Sequence, residues 1–102
     1  MKNNAMLIRI VRMTFKPESV ETFLEVFNSS KNKIRSFPGC KHLELQRDYH
    51  NPNVYATYSH WEDDQALENY RHSELFKGVW AQTKIHFDDK PIAFSHKVVE
   101  KL

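Results

Sequence analysis

The sequence predicts an α+β domain with its elements in the order β-α-β-β-α-β and its four strands in one antiparallel sheet. Three observations carry that prediction. Residues 6–15 alternate as a strand with two apolar faces, and residues 17–37 and 63–87 repeat their apolar side chains at helical spacing. Between them, two alternating runs flank His50-Asn51-Pro52-Asn53, a cluster of turn formers.

The first strand is Met6 to Phe15. Leu7, Val11, Met13 and Phe15 share one face, and Met6, Ile8 and Ile10 the other, interrupted by Arg9 and Arg12. A sheet with helices on one side should present one polar face, so this strand looks covered twice. Lys16-Pro17-Glu18 opens the first helix, because proline suits a first turn and Glu18 and Glu21 suit the helix dipole. Val20, Phe23, Leu24, Phe27 and Ile34 form a core-facing stripe that Lys31 interrupts, and Phe37-Pro38-Gly39 stops the helix.

Cys40–Tyr49 and Val54–Trp61 read as a hairpin. Pairing symmetric about the 50–53 loop sets Leu43 and Leu45 beside His60 and Tyr58, leaving His42, Glu44, Thr57, Ser59 and Trp61 on the other face. A slip of one residue exchanges the faces. Asp63 or Asp64 caps a short helix through about Tyr70, and Ser73 caps a second one. Leu75, Phe76, Val79, Trp80, Thr83 and Phe87 line one side of that second helix, which Asp88-Asp89-Lys90-Pro91 ends. Ile92–Val99 is the last strand, with Ile92, Phe94, His96 and Val98 on one face. The order is that of a ferredoxin-like split unit. One helix layer cannot cover a doubly apolar strand, so a partner sheet about 10 Å away is expected: a homodimer through sheet faces.

Composition narrows the class. The 102 residues form one domain with a core over 6–99; 40% are apolar and 13% aromatic, with only two glycines and four prolines. The formal charge is +2 with scattered basic residues, which argues against nucleic acid or an anionic membrane as partner. One cysteine fits a reducing compartment. Met1–Ala5 lacks the apolar stretch of a signal peptide, and no run approaches the ~18–20 residues of a spanning helix. The expectation is a soluble, cytoplasmic protein.

Most of the familiar chemistry is missing. The six histidines, at 42, 50, 60, 72, 86 and 96, contain no ligand-spaced pair, so no metal is expected. Nothing near Cys40 in sequence would activate its thiol, and no nucleophile elbow, phosphate loop or dinucleotide fingerprint occurs, so no cofactor is expected either. What remains is an aromatic-rich cleft. Tyr58, His60, Trp61, Tyr70, His72, Trp80 and His96 lie on elements that face it or its mouth, as a flat aromatic ligand requires. The bland alternative is that Trp61, Tyr70 and Trp80 simply fill the core.

Four segments carry a family resemblance: Pro38-Gly39-Cys40, the Asn51-Pro52 turn, Trp61-Glu62-Asp63-Asp64-Gln65-Ala66-Leu67, and Ser73-Glu74-Leu75-Phe76-Lys77. Residues 6–99 resemble the antibiotic biosynthesis monooxygenase (ABM) domain family, of the dimeric α+β barrel type. The resemblance implies oxidation of electron-rich aromatics by O2, often without metal or organic cofactor. Trp61 matches the tryptophan that members keep at the end of the third strand. The asparagine four residues earlier in polyketide-tailoring members is Thr57 here. The asparagine, tryptophan and histidine of haem-degrading relatives are Val11, Tyr70 and Trp80, which argues against haem degradation. Relatives acting on quinols often have histidine at Tyr70.

The expectation is therefore a cofactor-independent monooxygenase acting on a small phenolic or quinol-type aromatic. His60 or His72 is its proton acceptor, Tyr70 its ligand hydrogen-bonder, and Trp61, Tyr58, Trp80 and His96 its substrate-binding residues. The alternative is a non-catalytic dimeric module for small-molecule binding or stress response. An isomerase or lyase of the same class would need an inward His–carboxylate or His–Arg pair, with Arg9 and Arg12 the evident strand candidates.

Overall fold

The computed structural model describes residues 6–102; Met1–Ala5, read above as lacking a signal peptide, lie outside them. Strand β1 is Leu7–Thr14, followed by a 3-10 turn at Pro17–Ser19 and helix α1, Val20–Arg35. Strands β2, Cys40–Arg47, and β3, Val54–Trp61, form the hairpin. Helices α2, Asp64–Arg71, and α3, Glu74–Lys84, precede strand β4, Ile92–His96. The strands form one antiparallel sheet in the order β2-β3-β1-β4, with the three helices on one face. The expected break between α2 and α3 has a simple cause. Asp63 accepts a hydrogen bond from the backbone N–H of Ala66, and Ser73 Oγ accepts one from Phe76, so each residue caps its own helix.

The hairpin register corrects the sequence reading. Leu43 pairs with Ser59, Glu44 with Tyr58 and Leu45 with Thr57, one residue away from symmetric pairing about 50–53. The cause is Asp48. Its carboxylate accepts the backbone N–H groups of His50 and Asn51, while its own N–H reaches the Val54 carbonyl. That draws Tyr49 into a five-residue loop, 49–53, where it is almost fully exposed. Leu43 and Leu45 therefore join Thr57, Ser59 and Trp61 under the helices, and His42 and Glu44 join Tyr58 and His60 on the open face.

Two boundaries also differ. Helix α3 ends at Lys84 rather than near Asp88, which frees Phe87 to bridge Phe15 and pack against it. Strand β4 ends at His96, and residues 97–99 are exposed, paired with no strand among the described residues.

The interior has two clusters. Met13, Phe15, Phe23 and Tyr55 form one, and Cys40, Trp61 and Leu67 form the other. Lys31, which interrupts the α1 stripe, is exposed, with its head in water.

Candidate functional site

A cavity of about 300 Å³ lies between the helices and the sheet. Its floor is built from alternate residues of the strands: Arg9, Val11 and Met13 of β1, Thr57, Ser59 and Trp61 of β3, with Leu43 and Ala93 at the sides. Helix α1 supplies Phe23, Phe27 and Ile34 to the roof. Leu67, Tyr70 and Arg71 come from α2, and Phe76, Val79, Trp80 and Thr83 from α3.

Stacked aromatics hold the wall. Trp61 and Tyr70 lie 4.9 Å apart at 24°, and Phe76 and Trp80 5.7 Å apart at 12°. Trp61 is 1% exposed, and its Nε1–H donates to Ser59 Oγ at 3.0 Å, which fixes the indole. The Ser59 hydroxyl in turn donates to the Arg9 carbonyl oxygen at 3.5 Å, and the Thr83 hydroxyl to that of Val79 at 2.7 Å. These small polar groups are already engaged with the protein.

The titratable side chains on the lining are Tyr70, Arg9 and Arg71. Burial pushes the Tyr70 hydroxyl well above its usual range, so at neutral pH it is a hydrogen-bond donor and not a base. Arg9 Nη1 donates to Ser95 Oγ at 3.1 Å. Burial lowers the Arg9 pKa, the nearby Arg71 charge adds to that effect, and the Glu68 charge opposes it. Arg71 pairs with Glu68 at 2.9 Å.

Of the residues predicted from sequence, the structure brings Trp61, Tyr70 and Trp80 together on the cavity. It does not bring the others there. Tyr58 and His60 occupy the open face because the register turns alternate β3 residues that way, and His96 shares that face through its pairing with Ile8. His72 caps the end of α2 with a side chain 77% exposed, 3.4 Å from Glu68; two helical residues are about 200° apart, so its nearness to Tyr70 in sequence does not aim it inward. Among the described residues His60 Nε2 is buried without a hydrogen-bond partner, and burial, with His42 beside it, lowers its pKa. Cys40 is buried beside Trp61 and Leu67, with its thiol pKa pushed up by burial: a packing residue.

Sequence reasoning missed Arg71, and with it the partnership of Arg71 and Arg9. The spacing of Arg71, four residues after Leu67, places it on the same face of α2, but an arginine near a helix end ordinarily reads as solvated surface, so spacing alone did not mark it. Among the described residues no group of three or more His, Cys, Asp or Glu side chains could hold a metal ion, and no helix is long and apolar enough to cross a membrane.

The family model described as antibiotic biosynthesis monooxygenase matches residues 6–82. The chain belongs to this family. Several solved structures share the fold of this ABM protein. A conserved protein of Methanosarcina mazei is 22% identical with a TM-score of 0.84, over 90% of this chain and 92% of that one. A candidate antibiotic biosynthesis monooxygenase of Caulobacter crescentus is 21% identical with a TM-score of 0.87, over 95% and 92%. A third, named antibiotic biosynthesis monooxygenase, is 23% identical with a TM-score of 0.87, over 93% and 100%. At these identities the likeness establishes the fold. No curated protein matches the chain.

Proposed function

We propose that this ABM protein oxidises a small phenolic or quinol-type aromatic with O2 in the cavity beneath its helices, working as a homodimer through its open sheet faces. The observation that supports this most is the void itself. Trp61, Tyr70 and Trp80 leave about 300 Å³ open between them and the strands, where simple core packing would have closed it. Family membership supports monooxygenase-type chemistry.

The reaction balances without a further reductant. A phenol with a free ring position and O2 give the quinone and water: the phenol supplies four electrons, one oxygen atom enters the ring and the other leaves as water. Trp61 and Trp80 hold the ring. The Tyr70 hydroxyl donates to the phenolic oxygen and favours its anion, the form able to reduce O2. His60 and His72 lie off the cavity, so the phenolic proton passes to water at the mouth, helped by the positive charge of the lining.

One observation favours a second reading, a non-catalytic binding module: the lining carries no side chain able to accept a proton at neutral pH. Oxygen uptake separates the two. With a panel of naphthols and naphthoquinols, the monooxygenase reading expects protein-dependent oxygen consumption and quinone formation in air, and no product under argon. Binding of panel members without oxygen uptake in air would establish the second reading instead.

A further inference from the structure

Arg9 stands on the central strand β1, on the face that packs under the helices, among Val11, Trp61 and other apolar cavity residues. A guanidinium there is half-buried, and the part of its hydration that it loses must be replaced. The replacement on the protein is small. Ser95 Oγ accepts one hydrogen bond at 3.1 Å, and among the described residues no carboxylate lies within 4 Å of Arg9. The second cation of the lining, Arg71, is held at 2.9 Å by Glu68, which His72 also approaches at 3.4 Å. Two guanidiniums therefore share one end of the cavity with a single carboxylate, Glu68, which bonds Arg71 directly and acts on Arg9 only through its charge.

We propose that Arg9 and Arg71 form an anion-binding end of this cavity, and that its ligand is a one- or two-ring aromatic carrying a carboxylate. This rests on the reading of the cavity as an aromatic site and adds the chemical class of what enters it. A planar guanidinium presents paired donors that match a carboxylate, and its planar face tolerates a neighbouring ring. Arg9 is the primary contact, since among the described residues Ser95 is the one acceptor it reaches. Arg71, on the rim and paired with Glu68, adds attraction at the mouth. The size agrees: 300 Å³ is at the lower limit of ligand pockets, enough for one or two fused rings and a small substituent. The like charges are also mutually unfavourable: burial and Arg71 both act against the charged form of Arg9, Glu68 offsets them only in part, and an anion between the two guanidiniums relieves the remainder.

The test uses 1-naphthoate and its neutral isostere naphthalene-1-carboxamide, which are not oxidised, with binding read by quenching of tryptophan fluorescence. The wild-type protein is expected to bind the carboxylate at least tenfold more tightly. Arg9→Met should bring the ratio close to one while carboxamide affinity changes less than threefold. Arg71→Met should lower the ratio severalfold, and Arg9→Lys should retain part of it. If Arg9→Met does not fold, the Arg71→Met ratio and its loss in high salt decide. Equal affinity for the two isosteres in the wild-type protein, a ratio that survives both Met substitutions, or no binding of either isostere would overturn the proposal. A clear carboxylate preference with no oxygen uptake on hydroxynaphthoates would leave this anion site standing and remove the monooxygenase reading. Oxygen-dependent turnover of neutral naphthols with no charge preference would do the reverse.

Discussion

Gly39 holds a φ of +90° where α1 gives way to β2, and a Cβ placed there would collide with the Cβ of Ala66 at the start of α2. Gly78 sits mid-helix in α3, exposed, with nothing within 4 Å of the same hypothetical atom. The two should respond oppositely to alanine. Gly39→Ala combines backbone strain of about 1–3 kcal/mol with overpacking of similar size, so its melting temperature should fall by at least ~8 °C. Gly78→Ala should gain about 1 kcal/mol through helix propensity, a rise of a few degrees on thermal denaturation. Equal effects of the two would contradict this account. Gly39 was legible in the sequence, because Pro38-Gly39 after a helical stripe is a stop signal. Trp61 was legible too, as the last residue of an alternating run. Arg71 was not, because an arginine near a helix end ordinarily reads as solvated surface.

The β2–β3 hairpin shows where element-scale reading stops. Its two strands were evident from alternation, but their pairing depended on one side chain. Asp48 accepts from two backbone N–H groups, from Asn51 Nδ2 and from Arg12 at 2.9 Å, so it ties the loop to β1 as well as shaping it. No hydrophobic pattern encodes that, and the resulting one-residue slip moved Tyr58 and His60 to the opposite face. The same contacts predict an acid response. The Arg12 guanidinium, followed by the Asn51 and His50 N–H groups, holds the Asp48 carboxyl well below the usual carboxylate range. Its contribution is thus complete above the unfolded-state value near ~4 and declines as pH falls below it. Asp48→Asn should melt below the wild-type protein at pH 7, and the difference should shrink as pH is lowered from 5 to 2. A difference constant across that range would show that the charge of Asp48 contributes nothing.

At the scale of the whole molecule, the sheet has one covered and one open face. The open face carries Ile8, Ile10, Tyr58 and Phe94 in its middle rows, and it holds His60, whose Nε2 is buried without a partner among the described residues. Phe94 and Ile92 remain 36% and 58% exposed. A second copy laid against this face would bury these groups, which is the arrangement that the doubly apolar first strand led us to expect. Light scattering should accordingly give twice the 12.2 kDa chain mass, and Ile10→Asp should halve it with secondary structure retained. A wild-type mass of one chain would remove the dimer. Element order and the two apolar faces of β1 were legible because both follow from periodicity, and so was the cleft with Trp61, Tyr70 and Trp80, while the rest of its lining was not, because that depends on register and on the roof that three helices make together.

The reaction itself is tested most directly by isotope. When a naphthol that the protein consumes is incubated under ¹⁸O2, one labelled oxygen atom should appear in the quinone and the other in water. Label confined to water or peroxide, with the new ring oxygen drawn from solvent, would contradict oxygen insertion in the cavity.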